Sequence, residues 1–521
     1  MAFSEDAMTD PLTLYRLFER GRTIGTGRYV RCFGSGRAVE EQSYDQFARD
    51  VVALATALRK RGLEPGQRVA TLATNGIRHL QLMWAVPLAG GVFHAINTRL
   101  PIDEIAYILK DANDQILFID SDLAGLLAGL RETYPDLDVI YLDEKASAER
   151  VGVEALLRSG RATPQAIQEV ITDENAPAVL CYTSGTTGRP KGVSYSHRAL
   201  TLHALTEAMA DGYGISNSDN VLLLVPFCHG AGWGVPYSAI MCGADISVLA
   251  GPIRANQVLD ILTHQKITFT GAIPEVIARI APEIALREAN LAGLRILMGG
   301  TGPHSETLTI LRSAGITSML CWGMTETLSA ATMQHLLPEA DMAPPTQGQP
   351  LPLTELSVTK GDEGSQELLV RGPCVVDAYH GHDVTARRDG WLATGDTANI
   401  EADGTLHLQD RKKDLIKSGG EWISPAALEA HISQIAGVEE CVVVGVPHPK
   451  WGERPLCVAV ASEAIEIERI SEMLTSTGRF AKWQLPDDVV TLRALPRTVF
   501  GKLDRQALRL NFKSHFQPNL N

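Results

Sequence analysis

Short apolar, β-branched runs recur through the first two-thirds of the chain with helix-spaced segments between them, and this alternation restricts the fold more than any other feature. The runs lie at 69–72, 116–119, 139–142, 221–225, 246–249, 269–273 and 294–298. Strands separated by helix-length segments predict α/β layers built on largely parallel sheets. After the Pro-rich stretch 338–352 the pattern shifts to short strands, at 355–358 and 367–370, and to a hairpin signal at Asp403-Gly404. A small antiparallel layer is expected there. Beyond Arg411 a fresh set begins: a helix near 425–435, strands at 441–446 and 456–460, a helix near 465–474 and a last strand near 489–492. With 521 residues the chain is too long for one core, so this last set is expected to be a separate, smaller α+β domain. No linker marks the junction, and motifs place the boundary at 411/412, giving domains 1–411 and 412–521.

Composition narrows the class. The net charge is −14, with no basic cluster, which argues against nucleic acid and anionic membrane as main partners. The eight cysteines are scattered, without C-x-x-C pairs or histidines at metal spacing, and read as reduced core thiols. The acidic N-terminus lacks the order of a secretory signal, and the longest apolar run, 82–96, contains Pro87 and is too short to span a bilayer. A cytoplasmic protein is expected.

Tyr182-Thr-Ser-Gly-Thr-Thr-Gly-Arg-Pro-Lys191 holds the parts of a triphosphate cradle. Gly185 and Gly188 let backbone N–H groups approach an anion; Thr183, Ser184, Thr186 and Thr187 add hydroxyl donors, and Lys191 a mobile charge. An apolar run at 178–181 precedes it and helical spacing follows from His197. It is not the G-x-x-x-x-G-K-[ST] loop, since no hydroxyl residue follows Lys191.

The loop resembles the phosphate-binding signature of the adenylate-forming superfamily, and four further motifs in the family's order extend the resemblance over nearly the whole chain. It is most similar to medium- and long-chain fatty acyl-CoA synthetases. In Cys321-Trp-Gly-Met-Thr-Glu-Thr327 the resemblance implies that Trp322 faces adenine, that Gly323, Met324 and Thr325 line the nucleotide, and that Glu326 holds Mg²⁺. Gly299-Gly300-Thr301-Gly302 resembles the stretch between adenine and the acyl tunnel, with Thr301 where the family more often has Ala or Ser. Asp389-Gly-Trp-Leu-Ala-Thr-Gly-Asp396 brings Asp396 to the ribose hydroxyls, which an acceptor-only carboxylate suits. In Asp410-Arg-Lys-Lys-Asp414 the implied roles are a ribose or phosphate contact for Arg411 and a hinge for Lys413.

Pro496-Arg-Thr-Val-Phe-Gly-Lys-Leu-Asp-Arg505 resembles the loop bearing the family's catalytic lysine, here Lys502; Val499 and Phe500 depart from its usual small residues. Phe227-Cys-His-Gly-Ala-Gly-Trp-Gly-Val-Pro-Tyr237 resembles the acyl-pocket segment, with His229 as a gate and Trp233 as the indole that closes the tunnel. Amino-acid-activating relatives place a carboxylate in this stretch; here none lies between Phe227 and Cys242, and an unpaired ammonium would be costly to bury.

The resemblance implies an ATP-dependent acid–thiol ligase that makes acyl-AMP and then a CoA thioester, with Mg²⁺ accompanying ATP and coenzyme A as co-substrate. It assigns catalysis to Lys502, Glu326, His229 and Thr183, and the acyl pocket to His229, Trp233, Gly299 and Gly302. A mobile C-terminal domain would exchange Lys502 for a thioester-forming face made of Gly419, Gly420, Glu421 and Trp422. The partners are then ATP, a carboxylic acid and CoA, and a homodimer is allowed. A short or sulfur-containing acid, an aryl acid, and a stand-alone adenylation enzyme loading a carrier protein stay open. A non-catalytic nucleotide-binding regulator would be expected to lack Lys502 or Glu326, and both are present.

Overall fold

The computed structural model describes residues 10–34, 38–143, 151–162, 173–183, 189–300, 302–340, 344–360, 366–381, 386–419, 421–497 and 503–517. By contact, the described residues up to 355 together with 371–390 form one compact unit, and 356–370 with those from 391 onward form a second. The hairpin that carries Asp396 and Arg411 therefore packs with the C-terminal unit.

The first unit is built on two sheets. One has nine strands, in spatial order Gln349–Pro350, Thr332–Leu336, Thr317–Cys321, Arg295–Gly299, Phe269–Ala272, Asn220–Leu223, Asp245–Leu249, Tyr29–Phe33 and Glu40–Ser43. Pairing is parallel from Thr317–Cys321 across to Tyr29–Phe33 and antiparallel toward both edges. The other has seven strands, in the order Val151–Gly152, Asp138–Tyr141, Ile116–Ile119, Arg68–Leu72, Val92–Ala95, Pro177–Thr183 and Lys191–Ser196.

The expected α/β architecture is the observed one, and its cause is visible in single strands. Ile116–Ile119 is buried at every position, as a parallel strand covered on both faces must be. Leu222, Leu249, Ile296 and Leu320 share a core with Val258, Ile277 and Leu311 of the covering helices Ala255–His264, Pro274–Leu286 and Ser305–Ser313. Each such side chain contributes roughly 1.5–3 kcal/mol on full burial. The apolar run at 82–96 divides into the end of helix Ile77–Leu88, with Pro87 in its last turn, and strand Val92–Ala95. Among the described residues no helix is long and apolar enough to cross a membrane.

In the second unit Trp391–Ile400 pairs antiparallel with Glu367–Arg371 and with Leu406–Arg411. A further sheet pairs Val438–His448 antiparallel with Gly452–Ala461, and Asp488–Thr491 joins it in parallel. Ile416–Ser418 and Glu421–Ile423 extend its edge. Helices Pro425–Ile432 and Ile467–Ser476 bury Leu428, Ile432, Ile470 and Leu474 against it.

Candidate active site

The phosphate loop closes a hairpin. Strands Pro177–Thr183 and Lys191–Ser196 pair antiparallel, with Thr183 opposite Lys191 and Tyr182 opposite Gly192. Helix His197–Ala208 begins only after that second strand, capped by the Ser196 hydroxyl, which accepts from Ala199 N. Ser184, Gly185, Thr186, Thr187 and Gly188 lie outside the described residues, but both ends of the loop are held. At its entry the Tyr182 phenol donates to Asp111 Oδ2 at 2.6 Å, and at its exit the Arg189 guanidinium sits 4.8 Å from the centre of the Tyr107 ring. Both partners belong to or border helix Ile102–Ala112.

Segment 322–328 is tied to the same hairpin. The Tyr195 hydroxyl donates to Thr325 O at 2.7 Å, and Val376 N donates to Glu326 O at 2.8 Å. Tyr379 completes the link: its hydroxyl donates to Glu326 Oε1 at 2.8 Å, while Lys191 Nζ stands 4.8 Å over its ring. His380 N donates to Gly192 O at 2.8 Å. Lys191, Tyr379 and Glu326 thus form one array of cation, phenol and carboxylate, and the carboxylate residue is only 8% exposed. Burial and the Glu326 charge push the Tyr379 phenol upward, so it stays a donor. Tyr379 and Tyr195 were not singled out from sequence; no motif spacing marks Tyr379, whose role arises only in three dimensions.

Trp322 is 5% exposed, and its carbonyl accepts from Ala331 N at 2.8 Å and Thr332 N at 3.1 Å. Gly323 is enclosed: a methyl group there would lie 1.4 Å from Ser329 O. Gly300 has φ +110°, the left-handed side of the map, and Thr301 lies outside the described residues.

The 227–237 stretch has an unusual backbone. Gly230, Ala231, Gly232, Trp233 and Gly234 all have positive φ, at 47°, 46°, 66°, 59° and 78°, making one left-handed turn that includes two side-chain-bearing residues. His229 enters it in extended conformation. The Gly230 and Ala231 amides donate to the Cys181 sulfur in strand Pro177–Thr183. The Trp233 indole reaches over two glycines; a methyl on Gly271 would lie 3.6 Å from its Cε3 and one on Gly299 3.9 Å from its Cη2. Gly302 has nothing within 4 Å of such a methyl. Trp233 and Gly299 are thereby brought together, and a methyl on Gly230 would lie 3.5 Å from Ser329 Cβ.

Burial raises the thiols of Cys181, Cys228 and Cys321 to about 12, so all three remain neutral and none is suited to nucleophilic work near pH 7. Among the described residues no group of three or more His, Cys, Asp or Glu side chains could hold a metal. A buried carboxylate such as Glu326, beside the candidate phosphate loop, fits Mg²⁺, which takes one or two carboxylates and completes its shell with substrate oxygens and water.

The second unit carries the remaining candidates. Asp396 is 3% exposed and lies opposite Arg411 in the hairpin, with Arg411 Nε 2.6 Å from Asp396 Oδ1. Asp410 Oδ2 accepts from Ser424 Oγ and Ala426 N, both at 3.0 Å, which fastens this motif to the start of helix Pro425–Ile432. Lys413 is exposed, and its carbonyl accepts from Arg509 at 3.0 Å. Glu421 and Trp422 form a short hairpin strand opposite Ser418 and Lys417, and Trp422 is 44% exposed; Gly420 lies outside the described residues.

Lys502, Val499 and Phe500 also lie outside them, yet the ends of their loop are anchored. Arg497 and Leu503 form an antiparallel bridge, and Asp504 caps helix Arg505–Asn511 by accepting from Ala507 N at 2.9 Å. Arg505 forks onto Glu429 at 2.6 and 2.7 Å. The Asp and Arg that follow Lys502 therefore act as moorings for the loop.

Residues 28–380 match the family of AMP-binding enzymes, and 427–502 match the AMP-binding enzyme C-terminal domain. The chain is 34% identical to a 3-methylmercaptopropionyl-CoA ligase of Ruegeria lacuscaerulensis, covering 97% of this chain and 98% of that one. It is 35% identical to a long-chain-fatty-acid–CoA ligase of Thermus thermophilus, covering 99% and 98%. Among solved structures it is similar to the O-succinylbenzoate coenzyme A synthetase of Bacillus subtilis in complex with ATP and magnesium ion, with a TM-score of 0.77, 25% identity and coverage of 95% and 98%.

Proposed function

Because the chain belongs to the family of AMP-binding enzymes, we propose that it is an AMP-forming acyl-CoA ligase that activates an aliphatic carboxylic acid of medium or long chain. The observation that carries this reading is the Lys191–Tyr379–Glu326 array, a phosphate-binding cation and a metal-holding carboxylate kept apart by one phenol.

Lys191 and the hydroxyls from Thr183 to Thr187 grip the outer phosphates of ATP. Glu326 would hold Mg²⁺, which when bound neutralises charge on the triphosphate oxygens. Trp322 and the backbone of 323–325, with Gly300 and Thr301, flank adenine; Asp396, oriented by Arg411, accepts from the ribose hydroxyls. The acid is already an anion, so no general base is required. Lys502 offsets the repulsion between its carboxylate and the α-phosphate. With Lys413 as the hinge, Gly419, Gly420, Glu421 and Trp422 serve the second step, in which CoA attacks the adenylate. His229 gates the acyl pocket between the steps, and Trp233 limits its depth.

AMP release measured over straight-chain acids of increasing length, methylthio acids and aryl acids, each with and without CoA, tests the reading. AMP release that depends on CoA and peaks on straight-chain acids is expected. A peak on methylthio or aryl acids would replace the substrate class. Adenylation that CoA fails to turn over would favour loading of a carrier protein.

Tyr379→Phe is expected to raise the Mg²⁺ concentration for half-maximal activity by at least about tenfold, since it removes a hydrogen bond to a charged group, worth roughly 1.5–3 kcal/mol when intact. The ring under Lys191 is kept, so calorimetric ATP affinity without Mg²⁺ should hardly change. An equal loss with and without the metal would show that Tyr379 does not act through Glu326.

A further inference from the structure

Beneath the left-handed turn lies a buried ionisable pair that none of the roles above uses. His203 and Glu207 sit one turn apart on helix His197–Ala208, with Nδ1 and Oε1 2.9 Å apart and side chains only 3% and 0% exposed. Burial raises the Glu207 carboxyl above the usual range, and the nearby Ser238 hydroxyl of helix Val235–Cys242 donates instead to Val235 O at 3.2 Å. The pair presses on Gly234, the residue that caps that second helix at its start. A methyl group on Gly234 would lie 2.2 Å from Glu207 Oε1 and 2.7 Å from His203 Nδ1. Gly234 O in turn accepts from Tyr237 N at 2.8 Å, so the residue in contact with the pair is also the one that starts the helix.

Gly234 directly follows Trp233, whose indole covers Gly271 and Gly299. Raising or lowering Gly234 against the pair therefore moves the indole relative to those two glycines. An apolar contact would tolerate sliding, whereas two buried ionisable groups 2.9 Å apart attract each other and hold one register. Such a pair adds little net stability, because desolvation offsets its attraction. Its position suits it to fixing geometry.

We propose that His203 and Glu207 are positioning residues that set the depth of the acyl pocket by seating the Trp233 turn, and thereby determine which chain lengths the enzyme accepts. This rests on the placement of Trp233 in the acyl pocket. Shortening Glu207 removes the support under Gly234, lets the turn settle away from Gly271 and Gly299, and opens room for longer chains.

The test compares Glu207→Ala, Glu207→Gln and Trp233→Ala in the full-length protein, measuring kcat/KM over acids of increasing length together with the KM for ATP. Glu207→Ala should shift the long-to-short ratio about tenfold toward longer acids, the scale at which hydrophobic pockets distinguish methylenes. Glu207→Gln, which keeps the volume, should shift it about threefold, and ATP KM should stay within about twofold in both. The inference is overturned if Trp233→Ala changes the profile while both Glu207 variants only lower kcat/KM uniformly. If Trp233→Ala also leaves the profile unchanged, the placement of Trp233 fails first and the inference with it. Should the alanine variant fold poorly, the glutamine variant alone decides.

Discussion

Lys502→Ala is expected to slow acyl-adenylate formation about a thousandfold while leaving thioester formation from supplied acyl-AMP within about threefold of wild type. Two unit charges about 4 Å apart at an effective dielectric of about 20 repel by about 4 kcal/mol, and 1.36 kcal/mol is a factor of ten in rate. A carboxylate approaching the α-phosphate meets that repulsion, and a lysine ammonium placed between them removes it. The second half-reaction has no such anion pair, because the adenylate's acyl carbon is attacked by a thiol. The moorings on both sides of the loop, the Arg497–Leu503 bridge and the fork of Arg505 on Glu429, do not involve the Lys502 side chain. The variant should therefore fold as before. Single-turnover pyrophosphate release and CoA consumption of synthetic acyl-AMP separate the two steps; equal losses in both would remove Lys502 from adenylation.

Gly323→Ala is expected to destabilise the first unit by about 3 kcal/mol and to abolish detectable ATP binding, as overpacking against immovable neighbours does at the upper end of its range. The added methyl would meet Ser329 O at 1.4 Å, and that carbonyl is backbone, already accepting from the Thr327 hydroxyl. It cannot yield as a flexible side chain would. Relief requires moving the 322–329 segment, which dislodges Glu326 from Tyr379 and Thr325 from Tyr195. Gly302→Ala is the control, since a methyl there has nothing within 4 Å. Chemical denaturation and ATP titration of the two variants check the contrast. Near-wild-type ATP affinity in Gly323→Ala would show that this segment does not form the nucleotide site.

How far the fold could be read from the sequence depends on how local its cause is. The strand at 116–119 was legible to the residue because burial on both faces demands an unbroken apolar run. Strand Lys191–Ser196 was not read, although buried Val193 and Tyr195 alternate with Ser194 and Ser196. Helical spacing is legible from His197, where the helix begins, and the stretch between the glycine-rich loop and that helix gets no assignment from it. Within the candidate site, the residues with motif spacing were legible and their supports were not. Tyr379 reaches Glu326 across 53 positions, and Arg505 reaches Glu429 across 76. Such contacts leave no trace in periodicity. The His203–Glu207 pair has helical spacing, but as sequence it resembles any i, i+4 surface pair. Only its complete burial under Gly234 distinguishes it.

The left-handed turn at 230–234 also stores conformational energy. Ala231 and Trp233 each carry a Cβ in a region that costs roughly 1–2 kcal/mol per residue. Relaxation of both to right-handed backbone would release about 2–4 kcal/mol, the same scale as burying three to five methylenes at about 0.8 kcal/mol each. The segment is thus a cocked spring whose tension is comparable to the binding energy of a few carbons of acyl chain.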